Sequence, residues 1–260
     1  MQLLTSLTLL LPAFIELSSA LVLSPESYDY DIFGSDGLRT EKLKSLEGIK
    51  KMSVPVALNL ILKKSSIIPD VLDPFIPTCY ILPSYTPPSS SSSSKKVKLG
   101  NKLRPSQTQS APSIQVFCPG KYHVQGGLTI ILTDPDAPSR DDDSMSEMCH
   151  WIARIPEAVV GREGISGEWS GSELEEAGVV DYKAPAPPKG TGKHRYVFVL
   201  LEGDNLDLEE PEERKHWGFE KPGSGIREWA GRENLTIVGA NFLYEKYHDE
   251  GKDSKFKIQG

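Results

Sequence analysis

Two short runs decide most of what this chain can fold into: LTIILT at 128–133 and YVFVLL at 196–201, neither of which alternates between polar and apolar residues. A strand with one wet face reads apolar, polar, apolar, so runs of strand length without that pattern need cover on both faces. Further strand-like runs follow the same grammar: SIQVF at 113–117, CHWIARI at 149–155 and LTIVGANFLYEKY at 235–247, separated by Pro, Gly and acidic stretches. The expectation is a mainly β protein in two layers. FIPTCYILPSYT at 75–86 is rich in β-branched and aromatic residues but carries Pro77 and Pro83, which fits an edge or bulged strand.

Helical spacing appears in three places. Leu38, Leu43, Leu46 and Ile49 recur with charges between them, predicting a surface helix within 36–52. VPVALNLILKK at 54–64 has Pro55 near its start and breaks near Ser65. PGSGIREWAGRENL at 222–235 offers Ser224 as a cap before Ile226, Trp229 and Ala230. The long stretch 157–193 is rich in Gly and Pro and reads as loop.

The N-terminus stands apart. Residues 3–15 carry no charge, and Ser18 and Ala20 form a small-x-small pair, so 1–20 reads as a secretory signal peptide cut after Ala20. The run is too short for a membrane span. An N-terminal extension with a helix then occupies 21–52, one domain 53–250 and a tail 251–260. Six serines, Ser89 to Ser94, make 87–96 an exposed loop within the domain.

Charge and cysteine content narrow the partners. Glu16 is the one charged residue in 1–20, so its removal takes the net charge from -7 to -6. Nucleic acid is a poor partner for so acidic a chain. Cys79, Cys118 and Cys149 permit at most one internal disulfide, and their spacing selects no pair. No CxxC spacing suggests zinc, and no metal or other cofactor is expected. The secretory route would permit a disulfide, and the sequon Asn234-Leu235-Thr236 is a possible glycosylation site on the same route. Secretion and delivery to a vacuole are equally compatible with such a leader.

Catalytic templates fail one by one. HExxH, GxSxG and GxGxxG are absent, and PPKGTGKH lacks the leading glycine of a phosphate loop and places His194 where Ser or Thr would hold magnesium. Cys149 and His150 are adjacent, but neighbours on a strand point to opposite faces, so no nucleophile and base pair forms there. What remains is a set of ionisable residues at strand ends: Asp134 and Asp136, His150, and His194 with Tyr196. Placed where apolar strands meet Pro-rich loops, they could converge on one mouth of a sandwich.

TDPDAPSR at 133–140, CHW at 149–151 and APAPPKGTGKHRYVFVLLEG at 184–203 together resemble the signature of the phosphatidylethanolamine-binding protein family, which includes the Raf kinase inhibitor proteins. The likeness extends over roughly 50–250 and is strongest to fungal members, among them an inhibitor of a serine carboxypeptidase. It implies a large and a smaller antiparallel sheet in a Greek-key type sandwich with peripheral helices. It also implies a small pocket for a phosphate-type anion or phospholipid head group, formed by Asp134, Asp136, His150, Pro187, His194 and Tyr196, with Glu147 as a supporting neighbour. Ala186 and Met145 depart from the pattern of animal members at the rim. The resemblance favours a non-enzymatic ligand-binding module in the secretory pathway, with protease inhibition as the alternative.

Overall fold

The computed structural model describes residues 53–86, 93–119, 126–156, 159–161 and 164–249. The leader with Ala20, the helix expected within 36–52, the serines up to Ser92 and the tail 251–260 lie outside the described residues. Helix α1, Val54–Lys64, starts at Pro55, whose missing N–H costs nothing in a first turn, and stops at Ser65. It buries Ala57, Leu58 and Leu62.

Eleven strands follow in the described chain: β1 Tyr80–Tyr85, β2 Lys95–Lys96, β3 Asn101–Lys102, β4 Ser113–Pro119, β5 Gly127–Asp134, β6 Met148–Ile155, β7 Val159–Gly161, β8 Gly164–Trp169, β9 Gly178–Val180, β10 Lys193–Gly203 and β11 Thr236–Lys246. They form a smaller sheet in the order β2-β1-β4-β8-β7 and a larger one in the order β3-β11-β10-β5-β6-β9. All pairings are antiparallel except β3 with β11. The architecture is the mainly β, two-sheet one expected.

Why the central runs lack alternation is now visible. From β10, Tyr196, Phe198 and Leu200 enter the core between the sheets, beside Ile81, Ile114 and Val116. Val197, Val199 and Leu201 enter a second core against Leu58, Leu62, Trp217 and Trp229. Helices α1 and α3, Ile226–Arg232, therefore cover the outer face of the larger sheet, and its middle strands are buried twice.

Two expectations need correction. The Gly-rich stretch 157–193 is not all loop: it supplies β7, β8, the short helix α2 at Gly171–Glu176, and β9. Glycine misled because it marks a close approach here: a Cβ on Gly167 would lie 2.3 Å from the Trp169 ring, so the ring takes the place of a side chain. The cap of α3 is Gly225, not Ser224; the Gly225 N–H donates to Glu228 Oε2.

The register sets Tyr80 opposite Phe117, which brings Cys79 and Cys118 together as a disulfide with Cα atoms 4.1 Å apart. With the partners 39 positions apart in sequence, loop-closure entropy predicts about 4 kcal/mol of stabilisation. Cys149 stays a free, buried thiol, and burial pushes its pKa up to about 12, which suits packing rather than reactivity.

The large sheet is pinned to the turn after α1 by one buried ion pair. Asp136 accepts from the Arg195 backbone N–H at 2.8 Å and from its guanidinium at 2.7 Å, and the same guanidinium reaches Asp70 at 2.8 Å and donates to the Ser66 carbonyl. Removing one partner of such a pair strands the other charge, so Asp136→Ala should cost about 3–5 kcal/mol in denaturant unfolding. Asp136→Ala with Arg195→Met should recover most of that loss. A single variant within about 1 kcal/mol of the parent would reduce the pair to the worth of a surface bridge.

Candidate functional site

Strand β5 ends at Asp134, and DPDAPSR turns sharply there. The Asp136 N–H donates to Asp134 Oδ1 at 2.8 Å, an Asx turn that replaces the ladder that the prolines forbid. The turn separates the two acids. Asp134 lies on the face of β5 that looks into the sandwich, following Leu128, Ile130 and Leu132, whereas Asp136 swings to the other face and is taken by Arg195.

On the inner face, Asp134 Oδ2 accepts from His194 Nδ1 at 2.8 Å, with both side chains nearly fully buried. Tyr196, two residues on and therefore on the same face of β10, stands near Asp134. Burial, reinforced by the Asp134 charge, holds the Tyr196 phenol far above its ordinary range, so it stays neutral. The His194 Nε2 lies 2.9 Å from the Thr191 hydroxyl, which also reaches the Pro188 carbonyl at 2.9 Å.

His150 arrives by a different device. Leu132 pairs with Trp151 and Thr133 with Cys149, so His150 is the extra residue of a β-bulge. Its ring meets Tyr196 edge to face at 5.2 Å, and the His194 ring lies nearly parallel to that phenol at 6.3 Å. The His150 Nδ1–H donates to the Lys183 carbonyl at 2.7 Å, and the Lys183 N–H donates back to the His150 carbonyl. Burial pushes the His150 pKa below its ordinary value, which outweighs the pull of Asp134. The ring is thus neutral near pH 7, with the Nε2 lone pair uncommitted by any described hydrogen bond.

The structure therefore brings together Asp134, His150, His194 and Tyr196, with Pro187 buried in the 184–189 segment beside them. It does not bring Asp136 to that cluster. Glu147 also lies apart, on the helix-covered face, where it accepts from the Thr133 hydroxyl at 2.9 Å and packs against Gly225 at the start of α3. Burial raises its pKa to about 8. A Cβ on Gly225 would fall 2.3 Å from the Glu147 carboxyl carbon, so the helix cap and this acid fit together only with glycine. Asp141, Asp142, Asp143 and Met145 are exposed. Two members went unnoticed in the sequence. Thr191 sits in the PKGTGK turn, and Glu245 is the register partner of His194 on β11, buried with a pKa raised by burial to about 8. A lone acid in the run GANFLYEKY is the signal that could have marked Glu245.

Comparison with known proteins places the fold. Residues 93–243 match the family model described as phosphatidylethanolamine-binding protein. The carboxypeptidase Y inhibitor of Saccharomyces cerevisiae is 33% identical over 207 residues, covering 70% of this chain and 91% of the inhibitor. An uncharacterised protein of the same yeast is 36% identical over 160 residues, 57% of this chain and 75% of that one. Among solved structures, carboxypeptidase Y inhibitor in complex with its cognate proteinase superposes with a TM-score of 0.66 at 30% identity, covering 76% of this chain and 99% of the other. A phosphatidylethanolamine-binding protein from Plasmodium vivax shares the fold, with a TM-score of 0.53 at 21% identity, over 73% of this chain and 97% of its own. On the family model and the yeast inhibitor together, this chain belongs to the phosphatidylethanolamine-binding protein family.

Proposed function

We propose that this protein inhibits a serine carboxypeptidase. The observation that carries the reading is the extent of the likeness: identity of 33% runs over 91% of the yeast inhibitor, well beyond the motifs that line the site. Among the described residues, Cys149 and His150 form no nucleophile and base pair, since the Cys149 thiol is buried in the helix-side core while His150 turns toward Tyr196. Titration of carboxypeptidase Y with the chain lacking residues 1–20 should give dose-dependent loss of peptidase activity. Full activity at micromolar concentrations of the protein would sink the reading.

A second reading, compatible with the first, concerns the inner-face cluster: it receives a phosphate-type anion or a phospholipid head group. What favours it is the pairing of one fully engaged histidine with one whose Nε2 has no hydrogen bond in the described structure. An anion would gain a charged donor from His150 once Nε2 is protonated, and neutral protection from Tyr196. Asp136 would act at a distance, by holding Arg195 and the DPDAPSR turn. Because burial lowers the His150 pKa, protonation comes below the ordinary imidazole range, and anion affinity should rise as pH falls through that window. Calorimetry with sulfate, whose charge is fixed over the window, tests the trend. The double variant His150→Ala, His194→Ala should abolish phosphate binding; an unchanged affinity, or an affinity flat with pH, rejects the assignment.

Entry into the secretory pathway, with cleavage after Ala20, is supported by the Cys79–Cys118 disulfide and by Asn234, which is exposed in the turn between α3 and β11. That turn is at the opposite end of β11 from Glu245, so a glycan there would leave the site clear. No helix among the described residues is long and apolar enough to cross a membrane.

A further inference from the structure

Three exposed lysines sit side by side at one end of the larger sheet. Lys193 on β10 is the register partner of Lys246 on β11, and Lys102 on β3 is the register partner of Tyr244, two residues before Lys246. Register partners share a face, as do residues two apart on a strand, so all three lysines project on the face that carries Tyr244 and Arg195. The Lys193 ammonium lies over the Tyr244 ring, 4.9 Å from its centre. Arg195 is neutralised there by Asp136 and Asp70, whereas none of the three lysines enters an ion pair among the described residues. Like charges set directly opposite on a sheet repel, so Lys193 and Lys246 work against the fold where they stand. An anion between them would reverse that sign.

The lysines border a recess of about 380 Å³, which Arg104 and His248 also line. That volume falls among those of small-molecule sites, about 300–1,000 Å³. Glu245 is the one acid in the lining, but it belongs to the inner face at 1% exposure, and burial raises its pKa to about 8, so near neutrality it puts little negative charge on the recess. The cations come from β3, β11 and β10, adjacent strands about 4.8 Å apart, so the backbones of Lys102 and Lys193 stand roughly 10 Å apart. A single phosphate is too small to meet them all; a ligand with several charged groups in a row is not. Ammonium groups and the guanidinium fork both suit phosphate oxygens, and a phosphate group brings up to about two charges where a carboxylate brings one. An added peptide strand would need an open backbone edge, and β3, the edge here, is two residues long while the cations project from a face.

We propose that this recess binds a small anion carrying two or more phosphate groups, held by Lys102, Lys193 and Lys246 with Arg104. The net charge of -7 does not oppose it, because local donors decide a pocket while net charge decides long-range steering. The site shares no residue with the inner-face cluster of Asp134, His150, His194 and Tyr196, so the inference is independent of both readings above.

Calorimetry with sodium tripolyphosphate tests it on the chain lacking only residues 1–20. The parent should show saturable binding whose affinity falls as salt is added. Lys102→Gln with Lys193→Gln and Lys246→Gln should weaken that binding about tenfold or more, the sum of three exposed ionic contacts at their usual strength. A control of equal charge, Lys63→Gln with Lys215→Gln and Lys221→Gln, removes exposed lysines elsewhere and should stay within about twofold of the parent, since distant charges are screened. All six positions are exposed, so both variants should keep the parent's unfolding midpoint. No saturable binding to the parent, equal weakening in the two variants, or full affinity in the first overturns the proposal. Tighter binding of a hexaglutamate peptide than of tripolyphosphate also overturns it, by giving the recess to a protein partner. Vesicles carrying a bisphosphorylated inositol lipid separate the two sources of such phosphates: binding that the first variant loses supports a lipid head group, and a parent that takes tripolyphosphate but ignores the vesicles supports a soluble ligand.

Discussion

The bidentate bond between Asp136 and Arg195 is the constraint around which the rest of the molecule is arranged. It joins three parts far apart in sequence: the turn after α1, the turn that ends β5, and the start of β10. A buried guanidinium and carboxylate attract strongly only when their remaining donors and acceptors are also met. Here Asp70 and the Ser65 and Ser66 carbonyls take the other guanidinium nitrogen. With β10 fixed in this way on one face, alternation along the strand leaves His194 and Tyr196 no choice but the other. Structural charge and site chemistry thus occupy opposite faces of one sheet, on adjacent residues of β10 and on the two acids of the turn that ends β5.

The division also explains the contrast between the two histidines. His194 stands next to Arg195, is held at both nitrogens, and faces a carboxylate that itself accepts from the Asp136 N–H. His150 comes from a bulge at the sheet's other side, is anchored by one nitrogen to a backbone carbonyl, and is kept neutral by burial. One ring is committed to the scaffold at both nitrogens, and the other keeps its Nε2 outside every described hydrogen bond. Thr191, in a turn flanked by Gly190 and Gly192 at positive φ, closes the remaining side of His194. The neighbouring acids Glu147 and Glu245 are buried with pKa values near 8, so near neutrality they add less negative charge than their number suggests.

Much of this was legible in the sequence, and the failures have physical causes. The unalternating runs gave the doubly covered sheet, and Pro55 and Ser65 gave the limits of α1, because each is a local rule with no competing tertiary effect. Asp134, His150, His194 and Tyr196 could be named as a group from strand ends and family motifs. That Asp136 would leave them could not be seen by counting, since residues two apart share a face only while the strand continues, and the strand stops at Asp134. The segment 157–193 was misjudged because Gly167 reads as flexibility and in fact admits a tryptophan ring. The disulfide needed the β1 and β4 register, which no spacing rule contains.

The proposed division of labour between the two faces is tested most directly by a crystal structure of the chain lacking residues 1–20, soaked in phosphate at mildly acidic pH. The anion should lie on the inner face within hydrogen-bond distance of His150 Nε2, beside Tyr196 and the 187–191 turn, with Asp136 still bound to Arg195. An anion seated on the Arg195 guanidinium in place of Asp136, or an inner face without density at saturating phosphate, would contradict it.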